Sequence, residues 1–597
     1  MADNGHTIKK MGILSSFKSL RGNLSLKLTV CSLAVGLLAG YGALAFRISI
    51  SEIQTLFYGF GSELVVTEAA HLPWWQIMMV PVIGGLIIGV ILKFIMPERR
   101  PQGVADVIES VLINRGKMKL LPGVGAFMTS AISLGTGASG GREGPVVHFG
   151  AMLASQLGQF MRIPSSHYTT LIGCGVASAV AASFNAPIAG MFFALEVVIG
   201  SIATQAVAPI VIAAVVGTVV TRIHIGDFPA FIIPNYQIVS WWEMPAIALL
   251  GVVSAVVALL FIWSMQFSEQ TIDKLKIPTI LRPAAGGLAL GIIALFFPQI
   301  IGVGYEATYS ALNEQYGLLL LLSLIVVKTI AVAITMGSRL GGGFFSPSLF
   351  VGAMTGGAFG IIAASVFPEM AASHGLYAII GMTAVACSVL GAPISTILIV
   401  FELTGDYKIA IAVMVAVAVA TLITKQIIGR SIFQTQLAMR NLDVKESGAL
   451  RYLKYRQVRG IMDREFIEIP DSTPMLELRE IARNTRHDKF IVVNPKNQSF
   501  IGRIDFADLK PHVFGDDIDE DLTAIDLTQE GSPQVHPDTS LKAALIIFNE
   551  TELDCLPVVD ITSGIRLIGL LHYKDLLREY NEALLKMQNE STDKLIR

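Results

Sequence analysis

Apolar residues in the first three quarters of this chain come in long runs, and in the last quarter in short ones. Ile199–Thr221 and Met244–Ser268 contain no Asp, Glu, Lys or Arg, and each is long enough for a bilayer, which takes roughly 20 residues to span. Leu28–Phe46 is another such run. Ala43-Leu44-Ala45 resembles a signal cleavage site, but the polar region ahead is long and the run too extended for a signal peptide's apolar core. It therefore reads as the first membrane helix. The runs differ in length, and many are cut by Gly or Pro, of which the chain has 55 and 25. Inside a membrane such breaks are tolerated only where the freed backbone groups face protein or a wet cavity. The pattern thus predicts tilted, short and re-entrant helices instead of a plain hairpin bundle. From Asn441 onward charges are frequent. There Phe490–Asn494 and Leu556–Asp560 read as buried strands, and Leu476–Arg483 and Leu541–Phe548 as helices with one apolar face.

Composition narrows the class. Charged residues are 15% of the chain and mean hydropathy is +0.62, against about 25% charged in a soluble domain. This predicts an α-helical polytopic membrane protein with a small α/β region at its end. Net charge is −2, so nothing suggests nucleic acid. Cys31, Cys174, Cys387 and Cys555 have no metal-ligand spacing and read as buried thiols. HExxH, Walker and GxSxG patterns are missing, so neither a metal site nor an enzyme is indicated. Lys9, Lys10, Lys18, Arg21 and Lys27 precede the first run. Lys425, Arg430, Arg440, Arg451, Lys454, Arg456 and Arg459 follow the last. Both clusters place their ends of the chain in the cytoplasm.

The broken stretches repeat. Gly144-Pro145 through Gly150-Ala151-Met152 returns 202 positions later as Ser346-Pro347 through Gly352-Ala353-Met354. Asn185-Ala186-Pro187-Ile188, with Glu196 nine positions after the proline, returns 206 positions later as Gly391-Ala392-Pro393-Ile394, with Glu402 in the same relation. One duplicated unit explains both offsets. It sets a short N-terminal segment at 1–24, membrane halves at 25–225 and 240–440, and a Pro-rich connector at Asp227–Tyr236. Corresponding broken helices in two membrane repeats point to a midplane ion or substrate site. Thr136 through Pro145 is glycine-rich and precedes an apolar helix, and Gly341-Gly342-Gly343-Phe344-Phe345-Ser346-Pro347 repeats the arrangement. Helix N-termini carry partial positive charge and unpaired N–H groups. In an inverted repeat two of them can converge on one dehydrated anion without a buried Lys or Arg. A divalent-cation transporter would instead want several acidic or carbonyl ligands.

These residues closely resemble the CLC family of chloride channels and chloride/proton exchangers. Gly141-Arg142-Glu143-Gly144-Pro145 matches the family's GREGP motif. Gly343-Phe344-Phe345-Ser346-Pro347 fits GxFxP, and the two Ala-Pro turns also fit. The likeness runs over nearly the whole chain and implies an inverted repeat of tilted, broken and re-entrant helices, assembled as a homodimer with one anion pathway per subunit. It implies that Glu143 is the gating glutamate, and that chloride is held near Gln102, Gly103, Arg142, Gly144, Phe344, Phe345 and Phe433, with the backbone N–H groups of Phe344 and Phe345 lining the central position. It implies an integral protein of the membrane lipid, in a bacterial inner membrane.

In the last quarter, Gly502 through Asp508-Leu509 matches Gly569 through Asp575-Leu576, 67 positions apart. Each unit resembles a CBS domain. The likeness implies a linker at 441–454, a cytoplasmic CBS pair at 455–515 and 516–585, and a tail at 586–597. No cofactor is required. Asp508 and Asp575 stand where adenine-nucleotide-binding CBS pairs hold ribose hydroxyls, but Asp505 and His572 replace the usual Thr or Ser three positions earlier. The alternative is that both aspartates cap helices.

Three positions depart from the family pattern. Gln102 stands where a serine or proline is common; its amide can donate to an anion, or it faces water as a loop residue. Phe433 replaces a tyrosine whose hydroxyl reaches the central anion. Val197 replaces the second of two glutamates, the one that relays protons from the cytoplasm; Glu196, the first, reads as structural, as does its repeat mate Glu402. The retained gate beside the missing relay favours channel-like or weakly proton-coupled chloride conduction. The alternative is a chloride/proton antiporter with a non-glutamate inner proton path.

Overall fold

The computed structural model describes residues 24–592 apart from 202–203, 228–230, 232–235, 237–239, 369–372, 441, 443–447, 486–488, 497–498, 515–520, 532 and 561–565. The N-terminal segment but for its last residue, most of the connector, and residues 593–597 of the tail lie outside the described residues. The chain divides into two units, Met1–Leu442 and Asp443–Arg597.

The first unit is helical: α1 (Leu24–Tyr58), α2 (Val65–Ala69), α3 (Trp74–Phe94), α4 (Val104–Leu112), α5 (Leu120–Gly135), α6 (Glu143–Phe160), α7 (Tyr168–Phe184), α8 (Pro187–Phe193) with a π turn at Ala194–Ile199, α9 (Thr204–Ile225), α10 (Met244–Lys274), α11 (Leu281–Phe296), α12 (Tyr305–Leu312), α13 (Leu318–Gly337), α14 (Phe345–Val366), α15 (His374–Leu390), α16 (Pro393–Thr404), α17 (Tyr407–Ile427) and α18 (Ile432–Met439). Among the described residues, seven helices are long and apolar enough to cross a membrane, and shorter apolar helices lie between them. The helix expected at Leu28–Phe46 runs on to Tyr58. Its polar residues are accommodated: Ser49 and Thr55 return their hydroxyls to carbonyls one turn back, at 2.8 and 2.9 Å, and Arg47 pairs with Glu63 at 3.0 Å. Trp74 and Trp75 open α3, and Trp241 and Trp242 precede α10. All four are exposed, as aromatic residues are where a helix enters the lipid headgroups.

The two halves are inverted. Repeat mates α3 and α11 run antiparallel with backbones in contact: a Cβ on Gly85 would lie 2.6 Å from Ala284 Cα, and one on Gly291 would lie 2.8 Å from Met78 Cα. Small residues permit this approach, which dispersion rewards in a bilayer where lipid removes most of the hydrophobic drive. At the centre, α7 and α15 are buried on nearly every face. Helix α6 packs on α7 and α14 on α15, again through glycines, Gly150 against Gly175 and Gly352 against Gly381.

The second unit runs α19 (Gly448–Tyr455), β1 (Ile467–Pro470), α20 (Met475–Asn484), β2 (Lys489–Val493), β3 (Phe500–Asp505), α21 (Phe506–Phe514), β4 (Gln529–Glu530), α22 (Leu541–Thr551), β5 (Cys555–Asp560), β6 (Arg566–His572) and α23 (Tyr573–Thr592). β1 pairs parallel with β2, and β2 antiparallel with β3. The second half repeats this: Val535 bridges Val558 in parallel, and β5 pairs antiparallel with β6. The β-α-β-β-α order thus occurs twice, with one core around Phe490 and Ile504 and another around Leu556 and Leu571.

Candidate functional site

Two glycine loops meet where α6 and α14 begin. Gly141 N–H donates to Gly343 O at 2.8 Å, and Gly343 N–H donates to Gly141 O at 2.7 Å. This reciprocal pair stitches the repeats at equivalent positions, so two helix N-termini start at one crossing. The first N–H groups of each helix have no intrahelical acceptor. Gly144 must lack a side chain here, since a Cβ would sit 3.0 Å from Gly343 Cα. Behind the crossing, Gly302 bonds Gly137 O and Gly140 N at 3.4 Å each. The Lys328 ammonium, fully buried on α13, holds that turn through Ile300 O and Gly302 O at 3.2 Å each. It also lies 4.9 Å over the Phe350 ring.

Glu143, the first residue of α6, is 1% exposed. Its carboxylate accepts from Tyr305 Oη at 2.7 Å and from Ser346 Oγ at 2.6 and 2.7 Å. Arg142 Nε lies 3.9 Å away. A cleft lined by Gln102, Gly103, Glu143, Gly144, Phe344, Phe345 and Phe433 ends at this carboxylate, with Arg100, Arg339 and Arg440 also in its wall. Other clefts, lined by Arg142, Tyr305, Glu63 and Arg47, approach from the opposite side. Glu143 stands between the two approaches.

The sequence-predicted residues divide accordingly. Gln102, Gly103, Gly144, Phe344, Phe345 and Phe433 share Glu143's cleft. Arg142 does not: it pairs with Glu63 at 2.8 Å in the opposing cleft and stacks 4.5 Å over Tyr305. Gly103 lines the cleft, but its N–H is occupied, donating to Asp106 Oδ2 at 2.7 Å to cap α4. The Phe345 ring packs on Phe184 and Phe193, with centroids 4.8 and 5.8 Å away. Phe344 and Phe433 rings meet edge to face at 6.4 Å, an apolar constriction.

Glu196 and Glu402 exchange helix caps between the repeats. Glu196 accepts from Ile394 N–H at 3.1 Å and Ser395 N–H at 2.9 Å. Glu402 accepts from Ile188 N–H at 3.0 Å and Ala189 N–H at 2.8 Å. Each carboxylate ends one helix and caps the start of its antiparallel mate. Val197 sits beside Glu196 in the π turn, half-buried. In the second unit, Asp508 accepts from Gln529 Nε2 at 3.0 Å, and Asp575 pairs with Arg578. Both lie in the first turns of α21 and α23.

Sequence reasoning missed Tyr305, Ser346, Glu63, Lys328 and His148. Ser346 was within reach, since it occupies Gly144's position in the second repeat. Tyr305 carries no local signal, standing 162 positions from Glu143.

Residues 84–425 match the family profile for the voltage gated chloride channel, and residues 525–582 match the CBS domain. A ClcB-like chloride channel protein of Ralstonia nicotianae is 31% identical over 386 residues, 64% of this chain and 90% of that protein. Chloride channel protein CLC-f of Arabidopsis thaliana is 28% identical over 87% of this chain, which spans 64% of that relative's length. A solved slow cyanobacterial Cl-/H+ antiporter shares the fold, with a TM-score of 0.62 at 21% identity over 69% of this chain and 97% of that one. These relatives are channels or transporters. A profile match over more than half the sequence, laid on membrane-length helices, makes this an integral membrane protein that belongs to the CLC chloride channel and transporter family, with a CBS domain near its C-terminus.

Proposed function

We propose that the protein conducts chloride passively or with weak proton coupling, through one pathway in each subunit of a homodimer, gated by Glu143. The observation that carries this reading is the Glu143 carboxylate, buried at a helix N-terminus between two opposed clefts. An ionised carboxylate at membrane depth costs about 2.5–3.5 kcal/mol; the paired helix N-termini and two hydroxyl donors offset that cost. Such a group occupies the place an anion would take, and leaves it on protonation or displacement. Val197 in place of a proton-carrying side chain supports weak coupling. Basic residues at Lys27 and Lys425 support cytoplasmic ends in a bacterial inner membrane.

Reconstituted vesicles test this directly. A chloride gradient should dissipate without uphill proton movement at a fixed ratio. Acidifying the side facing Arg142 and Tyr305 should raise flux, and Glu143→Gln should give high flux independent of pH. Proton pumping at constant stoichiometry defeats passive conduction, and an unchanged pH response in Glu143→Gln defeats the gate.

One observation favours exchange instead. His148 on α6 is 1% exposed, and its Nδ1 makes no hydrogen bond among the described residues. It lines a cleft with Asp106, Glu109 and Lys117, and an imidazole there offers an inner proton path without Val197. Under this reading, His148→Phe abolishes proton-coupled uptake while chloride leak persists.

A further inference from the structure

We infer that two hydroxyls, Tyr305 Oη and Ser346 Oγ, hold Glu143 in the anion path and set how acid the solution must become before it leaves. The inference rests on Glu143 as the gate. Both groups are positioning residues, acting on the pathway through the carboxylate.

An ionised carboxylate only accepts hydrogen bonds, whereas a protonated one carries its own O–H. Hydroxyl donors at 2.6–2.7 Å therefore favour the charged, in-place form. Ser346 Oγ lies 2.6 Å from one carboxylate oxygen and 2.7 Å from the other, so a single proton serves both.

The repeat shows that this latch is built on one side only. Ser346 and Gly144 are equivalent positions, each following the first residue of its helix. At Gly144 a side chain would strike the facing loop. At Ser346 a side chain fits, and its hydroxyl points at Glu143. The position equivalent to Glu143 is Phe345. The first repeat thus supplies the acid and the second the donor, across the Gly141–Gly343 bridge.

Tyr305 is held still. It is the first residue of α12 and is buried. Arg142 covers its ring at 4.5 Å, and Phe231 meets the ring edge at a centroid distance of 5.0 Å. A ring fixed on both sides does not follow the carboxylate outward, so opening breaks the Tyr305 bond.

The charged groups around Glu143 are few. Arg142 precedes it at 3.9 Å, with Glu63 and then Arg47 behind. Across the inner cleft, Asp106 pairs with Arg100 at 2.7 Å and with Arg440 at 3.0 Å, and Arg339 and Glu269 complete the charged lining. From α14 comes the Ser346 hydroxyl, and from α12 come Tyr305 and, in the cleft that Arg142 lines, Glu306, whose carboxylate accepts from Val66 and Thr67 N–H. Removing either hydroxyl leaves all these charges in place.

The test is chloride efflux from reconstituted vesicles against external pH. It compares wild type, Tyr305→Phe, Ser346→Ala, the double variant, Ser346→Thr and Glu143→Gln. Each lost hydroxyl should move the pH of half-maximal flux upward by about one unit, a tenfold change in proton concentration. The double variant should move it further. Ser346→Thr, which keeps the donor, should stay with wild type, and that rescue separates a hydrogen bond from packing. Added to Glu143→Gln, the same substitutions should change nothing. Should Glu143→Gln be pH-independent while Tyr305→Phe and Ser346→Ala superimpose on wild type or shift downward, the latch fails and the gate stands. Should Glu143→Gln keep the wild-type profile, both fail.

Discussion

Carboxylates in this membrane unit do two unlike jobs, and their partners tell them apart. Glu143 is held by two buried side-chain hydroxyls of the other repeat, at 2.6–2.7 Å. Glu196 and Glu402 are held by backbone N–H groups at the starts of α16 and α8. Those N–H groups would otherwise be orphans of a helix end, and in a bilayer no water replaces the lost acceptor. Glu402→Ala and Glu196→Ala should therefore each destabilise the protein by about 1.5–3 kcal/mol, the range for hydrogen bonds to charged groups. Glu402→Gln, which keeps one acceptor oxygen, should lose less. Thermal unfolding in detergent reads the difference, and an unchanged Tm in both Ala variants would count against the cap. Glu143→Gln should leave Tm near wild type by comparison, because Tyr305 and Ser346 still find the amide oxygen. The shared spacing of Glu196 and Glu402 after the prolines was readable. Their crossed partners were not, since each bond joins positions about 200 residues apart in a fold that had to be known first.

At the level of helices, inversion is what turns a duplicated sequence into a site. Offsets of 202 and 206 announced the duplication, and the breaks at Gly and Pro announced where helices stop inside the membrane. What the letters left open was direction. The antiparallel seam of α3 and α11 settles it, and that seam depends on bare glycine. A Cβ on Gly85 meets Pro283 O at 2.5 Å and Ala284 Cα at 2.6 Å, both backbone atoms that cannot rotate away. Gly85→Leu should separate the mates and cost about 1–3 kcal/mol from overpacking alone, with loss of a monodisperse peak on size exclusion. Gly103→Ala is the control, because an added methyl there meets nothing within 4 Å. Equal behaviour of the two variants would mean that the seam tolerates side chains. Boundaries were less legible than breaks: Arg47, Ser49 and Glu52 end the apolar pattern of α1, yet the helix runs on to Tyr58, with Ser49 bonded back to a helix carbonyl and Arg47 paired with Glu63. Gly103 shows a different limit. Its motif position was readable, but its N–H is spent on Asp106, a competition visible only in three dimensions.

Over the whole molecule, two units with separate cores share one chain, and their boundary has a consequence. The first unit spans Met1–Leu442, and the second has hydrophobic clusters of its own around Phe490 and Leu556. Solved and curated relatives point the same way. The cyanobacterial antiporter is matched over 97% of its length by 69% of this chain, and the Ralstonia protein over 90% of its length by 386 residues. A CLC membrane fold is thus complete in neighbours with little room for a further C-terminal unit. Every group assigned here to the anion path, from Gln102 to Phe433, lies in the first unit. A chain stopped after Leu442 should therefore fold in the membrane, run as one peak in detergent and carry chloride with the Glu143 pH response intact. The second unit would then be dispensable for the path. Retained folding with a lost pH response would move part of the gate into residues 443–597. Aggregation of the shortened chain, with Arg440 still able to pair with Asp106 at 3.0 Å and Glu109 at 3.3 Å, would show that α18 needs more than that bridge to hold Phe433 in the cleft.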